Sequence, residues 1–404
     1  MIFDNLRNNS RILIYIVIIA FVGGGVLVGL SGYFNGSNSN AQSQNQTAHA
    51  QQQNIAVVND KPIRYQDFQR GLQRFQQQSQ RPIGNSQVLA LKNRVLQQMI
   101  DQELLLQKAK EENITVNISD QEVETQLDNW IKNTGRSRKE IENLLSDRGS
   151  SIAQVKKQLK EGMHKQKLIN RMVQQAQDGV EVTEKELKDA YEKSTEKEAA
   201  GEEFTKIKPK LRKKLKQQKK KQAISQMVNN YREEADIEIN SVEIKAYRAA
   251  QNENYDEAVA GYKNALDQGN KEAYIYSGLA QVYQQQDKTD KAIETYKKAI
   301  EKSPKDSQMK LALGNLYQQA GKEDKAVKQL DKVAESAGNN LLLHYRLQSL
   351  YKKMGYEEKA KAEMEKVKEL QKKAAKKQKA LQKKAKEQQK ESEEQESKEE
   401  ENNK

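Results

Sequence analysis

The first strong pattern along the chain is an uninterrupted apolar run. Ile12 to Leu30 is 19 residues without a charge, which as a helix rising 1.5 Å per residue spans roughly the 30 Å hydrocarbon layer of a bilayer. Arg7 and Arg11 precede it, and no charged residue follows until Asp60. This asymmetry predicts a transmembrane helix with its N-terminus in the cytoplasm and the remainder of the chain on the far side. A cleaved leader would carry a shorter apolar core and a small-residue cleavage site. Gly29–Ser31 offers only a weak one, so residues 1–34 read as a short stub and an uncleaved anchor bounded by Ile12 and Leu30. Residues 35–54 are Asn, Gln, Ser and Gly with little apolar content, the pattern of a flexible tether.

From Ile55 the pattern changes to short strands and then helices. Ile55–Val58 is β-branched, and Asn59-Asp60 before Lys61-Pro62 signals a turn. Val88, Leu91, Val95, Leu96, Met99, Ile100, Leu104 and Ala109 recur at close to 3.6 residues, predicting a helix over Val88–Lys110. Ser119 with Glu122, Ser137 with Glu140 and Thr183 with Glu186 are capping boxes, and Ser151 opens a further helix.

These segments carry a resemblance. VVNDKPIRYQDF, VLQQMIDQELLLQKAKEENI, ISDQEVE, LINRMV and VTEKELKDAYEKS, in that order, resemble the N-terminal domain of SurA-like envelope chaperones, and with the anchor the arrangement is similar to the PpiD and PrsA type. The resemblance implies a helical chaperone domain over residues 55–238. In that family a parvulin-type prolyl isomerase domain would follow the Tyr191 helix. Here a few polar residues lead directly to Phe204, where the chain resembles the family's returning C-terminal helix. The expectation is a family member without its isomerase, and no catalytic residue is carried over.

Phe204 to Lys221 holds ten basic residues and no acidic one. Ile207, Leu211, Leu215, Ile224, Val228 and Tyr231 supply a buried stripe, so the lysines read as the solvated face of an amphipathic helix. Aromatic stacking groups are nearly absent from the run, which argues against nucleic acid as a partner. Contact with anionic headgroups is the lesser alternative.

The clearest periodicity follows. Ala258, Ala292, Ala326 and Ala360 stand 34 residues apart. Four positions after each comes a large residue (Tyr262, Tyr296, Leu330, Met364), and three further on Ala265, Ala299, Val333 and Val367. Leu279, Leu313 and Leu347 keep the same register, as do Tyr283, Tyr317 and Tyr351. Gly321 and Gly355 fall at turns between helices, and Pro304 ends the second repeat. This matches the tetratricopeptide pattern, in which each helix pair buries its apolar face only by stacking on its neighbours. Residues 239–372 read as four such repeats. The first is degenerate, with Ala246 and Ala249 where larger residues are expected. By register, Tyr274, Ser277, Gln281, Leu311, Asn315, Gln318, Leu342 and Tyr345 should line the binding groove that the resemblance implies. Of the residues needed to clamp a terminal carboxylate, only Asn315 fits. Residues 373–404 read as a charged helical extension followed by a disordered tail with seven Glu from Gln388 onward.

Composition narrows the function. The 404 residues are 35% hydrophobic and 31% charged, with four Pro, 20 Gly, no Cys and three His. That favours long solvated helices over sheets and excludes disulfides, thiolate metal sites and cysteine nucleophiles. His49, His164 and His344 are too scattered for a histidine metal cluster. No nucleophile–base pair or phosphate loop is present. The fold class is therefore mainly α: a transmembrane helix, a SurA-like helical domain and a tetratricopeptide α-solenoid. No enzyme activity, cofactor, metal or nucleic acid is expected. The function expected is that of a membrane-anchored extracytoplasmic chaperone binding unfolded or newly secreted polypeptides, with the translocation channel a further candidate partner. The alternative is a tetratricopeptide scaffold that assembles an envelope or secretion complex.

Overall fold

The computed structural model describes residues 54–78, 83–147, 149–195 and 204–402. The expected anchor between Ile12 and Leu30 and nearly all of the tether lie outside them. Among the described residues no helix is long and apolar enough to cross a membrane. The fold is mainly helical, and the chain divides into two compact units. Of the described residues, the first takes those before Ile83 and those within Leu91–Ser241, the second those within Ile83–Ala90 and from Val242 onward.

The first unit opens on a hairpin, β1 (Asn54–Val58) and β2 (Lys61–Arg64), paired antiparallel with Val58 opposite Lys61. Asn59 and Asp60 turn it with φ of 46° and 63°, the left-handed pair that a tight hairpin requires and that Asn and Asp tolerate best. A third strand, β3 (Ile237–Ile239), closes the sheet in the order β2-β1-β3, with Ala56 opposite Ile239. Three residues are too short a run to announce it beforehand. Through it the end of the unit is held to its beginning, and Asn59 reinforces the pairing by donating its N–H to the Asp236 carbonyl and accepting the Asp236 N–H on its side chain.

The helices are α1 (Tyr65–Gln78), α2 (Asn85–Glu111), α3 (Asp120–Thr134), α4 (Arg138–Ser146), α5 (Ile152–Gln177), α6 (Glu184–Thr195) and α7 (Phe204–Glu234). The capping boxes form as expected at Ser119/Glu122 and Ser137/Glu140, and Ser151 makes the same motif with Gln154. One core joins α3, α4 and α5 through Leu127, Trp130, Ile141, Leu145 and Leu159. A second joins α2, α5 and α7 through Leu105, Ala109, Ile169, Met172, Ile224 and Val228. Within this unit Asp101 is fully buried and takes a charge-assisted hydrogen bond of 2.6 Å from Arg232 of α7. Between α6 and α7, where the family resemblance places a parvulin domain, only residues 196–203 intervene.

In the second unit helices pair in sequence order: α8 (Val242–Gln251), α9 (Tyr255–Asp267), α10 (Ala273–Gln285), α11 (Thr289–Lys302), α12 (Ser307–Gln319), α13 (Glu323–Ser336), α14 (Leu341–Lys353) and α15 (Glu357–Asn402). The four period-marking alanines are buried, and so are Tyr262, Tyr296 and Leu330. A residue in the left-handed region recurs at the same period between the paired helices: Glu253, Asp287, Gly321 and Gly355, with φ of 64°, 56°, 68° and 81°. The small residues of the first repeat have a reason. A Cβ on Gly261 would lie 2.8 Å from the Cβ of Ala246, so α8 and α9 approach too closely for a larger side chain.

The last helix continues through the Glu-rich stretch to Asn402, where composition led us to expect a disordered tail. Glu, Lys and Gln are strong helix formers, and no Gly or Pro interrupts the stretch.

Candidate functional site

Two surfaces stand out, one in each unit. In the repeats the first helix of each pair carries the residues assigned by register. Tyr274, Asn315 and Gln318 are half-buried and Gln281 is exposed. Ser277 and Leu311 are buried, at 1% and 6% exposure, so neither side chain offers an open contact, contrary to the register argument. Ser277 accepts a hydrogen bond from the Gln281 side chain, and Leu311 packs with Leu330 and Leu347. Leu342 and Tyr345 are open, at 52% and 54% exposure. Tyr345 occupies the same register position as Ser277 and Leu311. This one position is thus buried in the middle repeats and open on α14, where Leu341 adds a third exposed apolar side chain.

The middle repeats also hold a segment that the repeat period could not reveal. Ile83–Ala90 belongs to this unit. Asn85 donates its backbone N–H to Asp306 Oδ2 at 3.2 Å and its side-chain amide to the same oxygen at 2.9 Å and to Ser303 Oγ at 3.1 Å. The other oxygen of Asp306 caps α12, accepting from the N–H groups of Gln308 and Met309. One carboxylate therefore both starts a helix and anchors the segment. Leu89 is 4% exposed and enters the repeat core with Tyr262 and Leu279. It fits because residue 278 is glycine: a Cβ there would meet Leu89 Cδ1 and Tyr262 Cζ, each at 2.8 Å.

The repeat tyrosines on the second helices are structural. Burial pushes the Tyr296 hydroxyl up to about 12 and raises Tyr262 further. On a first helix, Tyr351 is raised by burial and by its hydrogen bond to Asp331 (2.7 Å), which ties α14 to α13.

In the first unit a groove of about 460 Å³ lies between β2, α1, α2 and α5. Val95, Met99 and Leu106 give it apolar surface, while Arg70, Arg74 and Gln98 add donors. Gln98 is 4% exposed, and its side-chain amide nitrogen has no hydrogen-bond partner among the described residues. A buried donor without an acceptor is costly, and a carbonyl of a bound polypeptide would satisfy it. Burial pushes the Asp67 carboxyl up, but hydrogen bonds from Arg64 and Arg70 outweigh that and hold it below the usual range. The groove thus sets apolar surface beside side-chain hydrogen-bond donors. Among the described residues, no group of three or more His, Asp and Glu side chains could hold a metal ion.

Comparison with known proteins finds two families in the chain. Residues 2–169 match the family described as SurA-like N-terminal domain. Residues 249–316, 285–351 and 343–373 match tetratricopeptide repeat families. Chaperone SurA of Hahella chejuensis (strain KCTC 2396) is 30% identical over 165 residues, which is 39% of this chain and 36% of that protein. The chain therefore spans little more than a third of the length of this curated relative. Solved structures with similarity include a crystal structure of MamA, at 21% identity and a TM-score of 0.30, covering 34% of this chain and 82% of that one. Another is YrrB, described as a TPR protein with an unusual peptide-binding site, at 18% identity and a TM-score of 0.28, covering 46% of this chain and 92% of that one. The chain joins a SurA-like N-terminal domain to tetratricopeptide repeats.

Proposed function

We propose that this protein is a membrane-anchored extracytoplasmic chaperone that binds unfolded or newly secreted polypeptides non-catalytically, the repeats adding a second protein-binding surface. The observation that carries the reading is the first unit's groove, where an unpartnered buried amide at Gln98 stands among apolar side chains in a SurA-like domain. Apolar contact gives sequence-tolerant affinity, and a main-chain hydrogen bond adds none of the side-chain selectivity that a general holdase must avoid. Placing two weak surfaces on one chain raises the effective concentration of a client at the second once the first is engaged. The apolar run from Ile12 to Leu30 supports placement at a membrane, with the folded units on its outer side. The translocation channel fits as a neighbour, since it delivers extended clients there.

The test is suppression of aggregation of an unfolded secreted protein by the full chain, compared with a Gln98→Leu, Met99→Asp double variant. Protection at stoichiometric amounts that the variant loses supports the reading. Unchanged aggregation with the native chain sinks it.

A second reading has its own observation. Three exposed large apolar residues, Leu341, Leu342 and Tyr345, cluster at the start of α14, a patch small enough for one dedicated partner. In this reading the chain is a scaffold for an envelope or secretion complex. Cross-linking in intact cells separates the two: a broad spectrum of unfolded clients favours the chaperone, a single dominant partner lost in Leu342→Ser, Tyr345→Ser favours the scaffold.

A further inference from the structure

Helix α7 carries the ten cations of the basic run, and three of them pair with α6. On one side Lys208 and Arg212 pair with Glu184, and Lys219 pairs with Glu186 at 2.7 Å. Both glutamates lie in the first turn of α6, and hydrogen bonds from these cations hold their carboxyls below the ordinary range. Phe204 packs edge-on against Tyr191, with ring centroids 5.2 Å apart. This side of the helix is the one that α6 covers.

The other side runs through Lys210, Lys213, Gln217 and the Lys220–Lys221 pair at intervals of three and four residues, one continuous stripe of an α-helix. Continued in the same steps, it reaches Ile224 and Val228, which are buried against Leu105, Ala109 and Ile169. One stripe thus changes character midway. Its C-terminal half is apolar and covered by α2 and α5, and its N-terminal half is cationic. Lys210 and Lys213 on the stripe, and Lys214 and Lys216 flanking it on either side, are exposed and make no ion pair or hydrogen bond among the described residues. A helix that only needed solubility could have interspersed acids here, as α15 does. From Phe204 to Lys221 there is none.

We propose that this lysine stripe docks on the anionic headgroups of a phospholipid bilayer. The charges lie along about 16 Å of straight helix, from Lys210 to Lys221, so they suit a plane of repeated negative charge better than a single compact ligand. No aromatic side chain stands among them to stack on bases, which disfavours single-stranded nucleic acid. Charge complementarity with a bilayer surface requires no shaped pocket, and such a contact weakens steeply with salt. The inference does not rest on the client-binding reading above, and either can fail alone.

The chain has no cysteine, so Gln217→Cys places a unique thiol in the middle of the stripe for a fluorescent reporter. The full-length chain is mixed with vesicles of phosphatidylcholine alone or of phosphatidylcholine with phosphatidylglycerol, and the reporter's accessibility to a water-soluble quencher is read. This local readout is independent of any insertion of the apolar N-terminal segment. The expected result is protection on the phosphatidylglycerol vesicles only, reversed by high salt and lost when Lys210, Lys213, Lys214 and Lys216 are all changed to Gln. At about fivefold in partitioning per lysine near an anionic surface, the four changes together should abolish protection. Equal accessibility on both vesicles, protection that survives the Lys→Gln changes, or protection by an acidic peptide or RNA that anionic vesicles do not match would each overturn the proposal.

Discussion

His344 of α14 stands between two acceptors, with Nδ1 2.5 Å from Glu363 Oε2 on α15 and Nε2 2.9 Å from the carbonyl oxygen of Gly338. An imidazole satisfies both only with a hydrogen on each nitrogen, or with the shared proton resting on the carboxyl. Both side chains are nearly buried, so the pair joins the α13–α14 loop and the last two helices in one polar contact surrounded by apolar packing.

Removing one partner from such a pair leaves the other buried without compensation, which costs about 3 kcal/mol. Glu363→Ala should therefore lower the unfolding midpoint of the repeat unit in urea, and His344→Leu, Glu363→Leu together should cost less than Glu363→Ala alone. If the double change is the more damaging, the contact contributes through packing rather than through charge.

The left-handed positions at period 34 give a prediction of opposite sign. Gly321 and Gly355 hold this conformation without a side-chain penalty, whereas Glu253 and Asp287 adopt φ of 64° and 56° with a Cβ in place. A left-handed residue other than glycine costs roughly 1–2 kcal/mol, partly offset by glycine's greater freedom in the unfolded chain. Asp287→Gly should stabilise the array by about 0.5–1 kcal/mol, seen as a raised melting temperature. The same change at Glu253 should act alike. A lowered melting temperature in both would mean that the side chains contribute more than their backbone strain costs.

Much of this array was legible because repetition writes the same local rule several times over. Ala258, Ala292, Ala326 and Ala360 mark where helices close on one another, and no tertiary knowledge is needed to see their spacing. The capping boxes and the Asn59-Asp60 turn were visible for a related reason: each is complete within a few residues. What escaped were contacts between distant segments. β3 is only three residues long, and its partner β1 lies at the other end of the unit. Asn85 and Asp306 are 221 positions apart, and neither residue type distinguishes a surface cap from an anchor. The groove face failed at Ser277 and Leu311 because register fixes the side of a helix a residue lies on and says nothing of what covers that side.

The glycine at 278 lends itself to a double-mutant test of that anchoring. Gly278→Ala puts a methyl group 2.8 Å from both Leu89 and Tyr262, an overpacking worth about 1–3 kcal/mol. Leu89→Ala empties a buried site, at a cost of about 2–4 kcal/mol. Combined, the two should cost less than their sum, because the methyl fills part of the space the leucine vacates. Strict additivity in chemical denaturation would show that Leu89 does not occupy the face of α10 in solution.

Acid should loosen the first unit before it disturbs the buried apolar contacts of the repeats. Glu122 closes the capping box of α3 and accepts a hydrogen bond of 2.6 Å from Lys167 of α5. Lys167, and then Ser119, hold its carboxyl down to about 2, against an ordinary value of 4.5. Glu124 is lowered by Lys156 and Arg138, and Glu140 by Ser137. A carboxyl whose folded value lies below its unfolded value binds fewer protons when folded. Its stabilisation is complete above about 4.5 and disappears as pH falls through the folded value. The melting temperature of the first unit should therefore be flat from neutrality to pH 5 and fall between about pH 4.5 and 2. Glu122→Gln, which retains a capping oxygen but not the charge, should flatten that slope. It should also lower stability at neutral pH by a small amount, since the side chain is exposed to solvent. An unchanged acid slope in this variant would assign the loss to other carboxylates, with Glu124 the next to examine, because it alone bridges α3 to both Arg138 of α4 and Lys156 of α5 among these three.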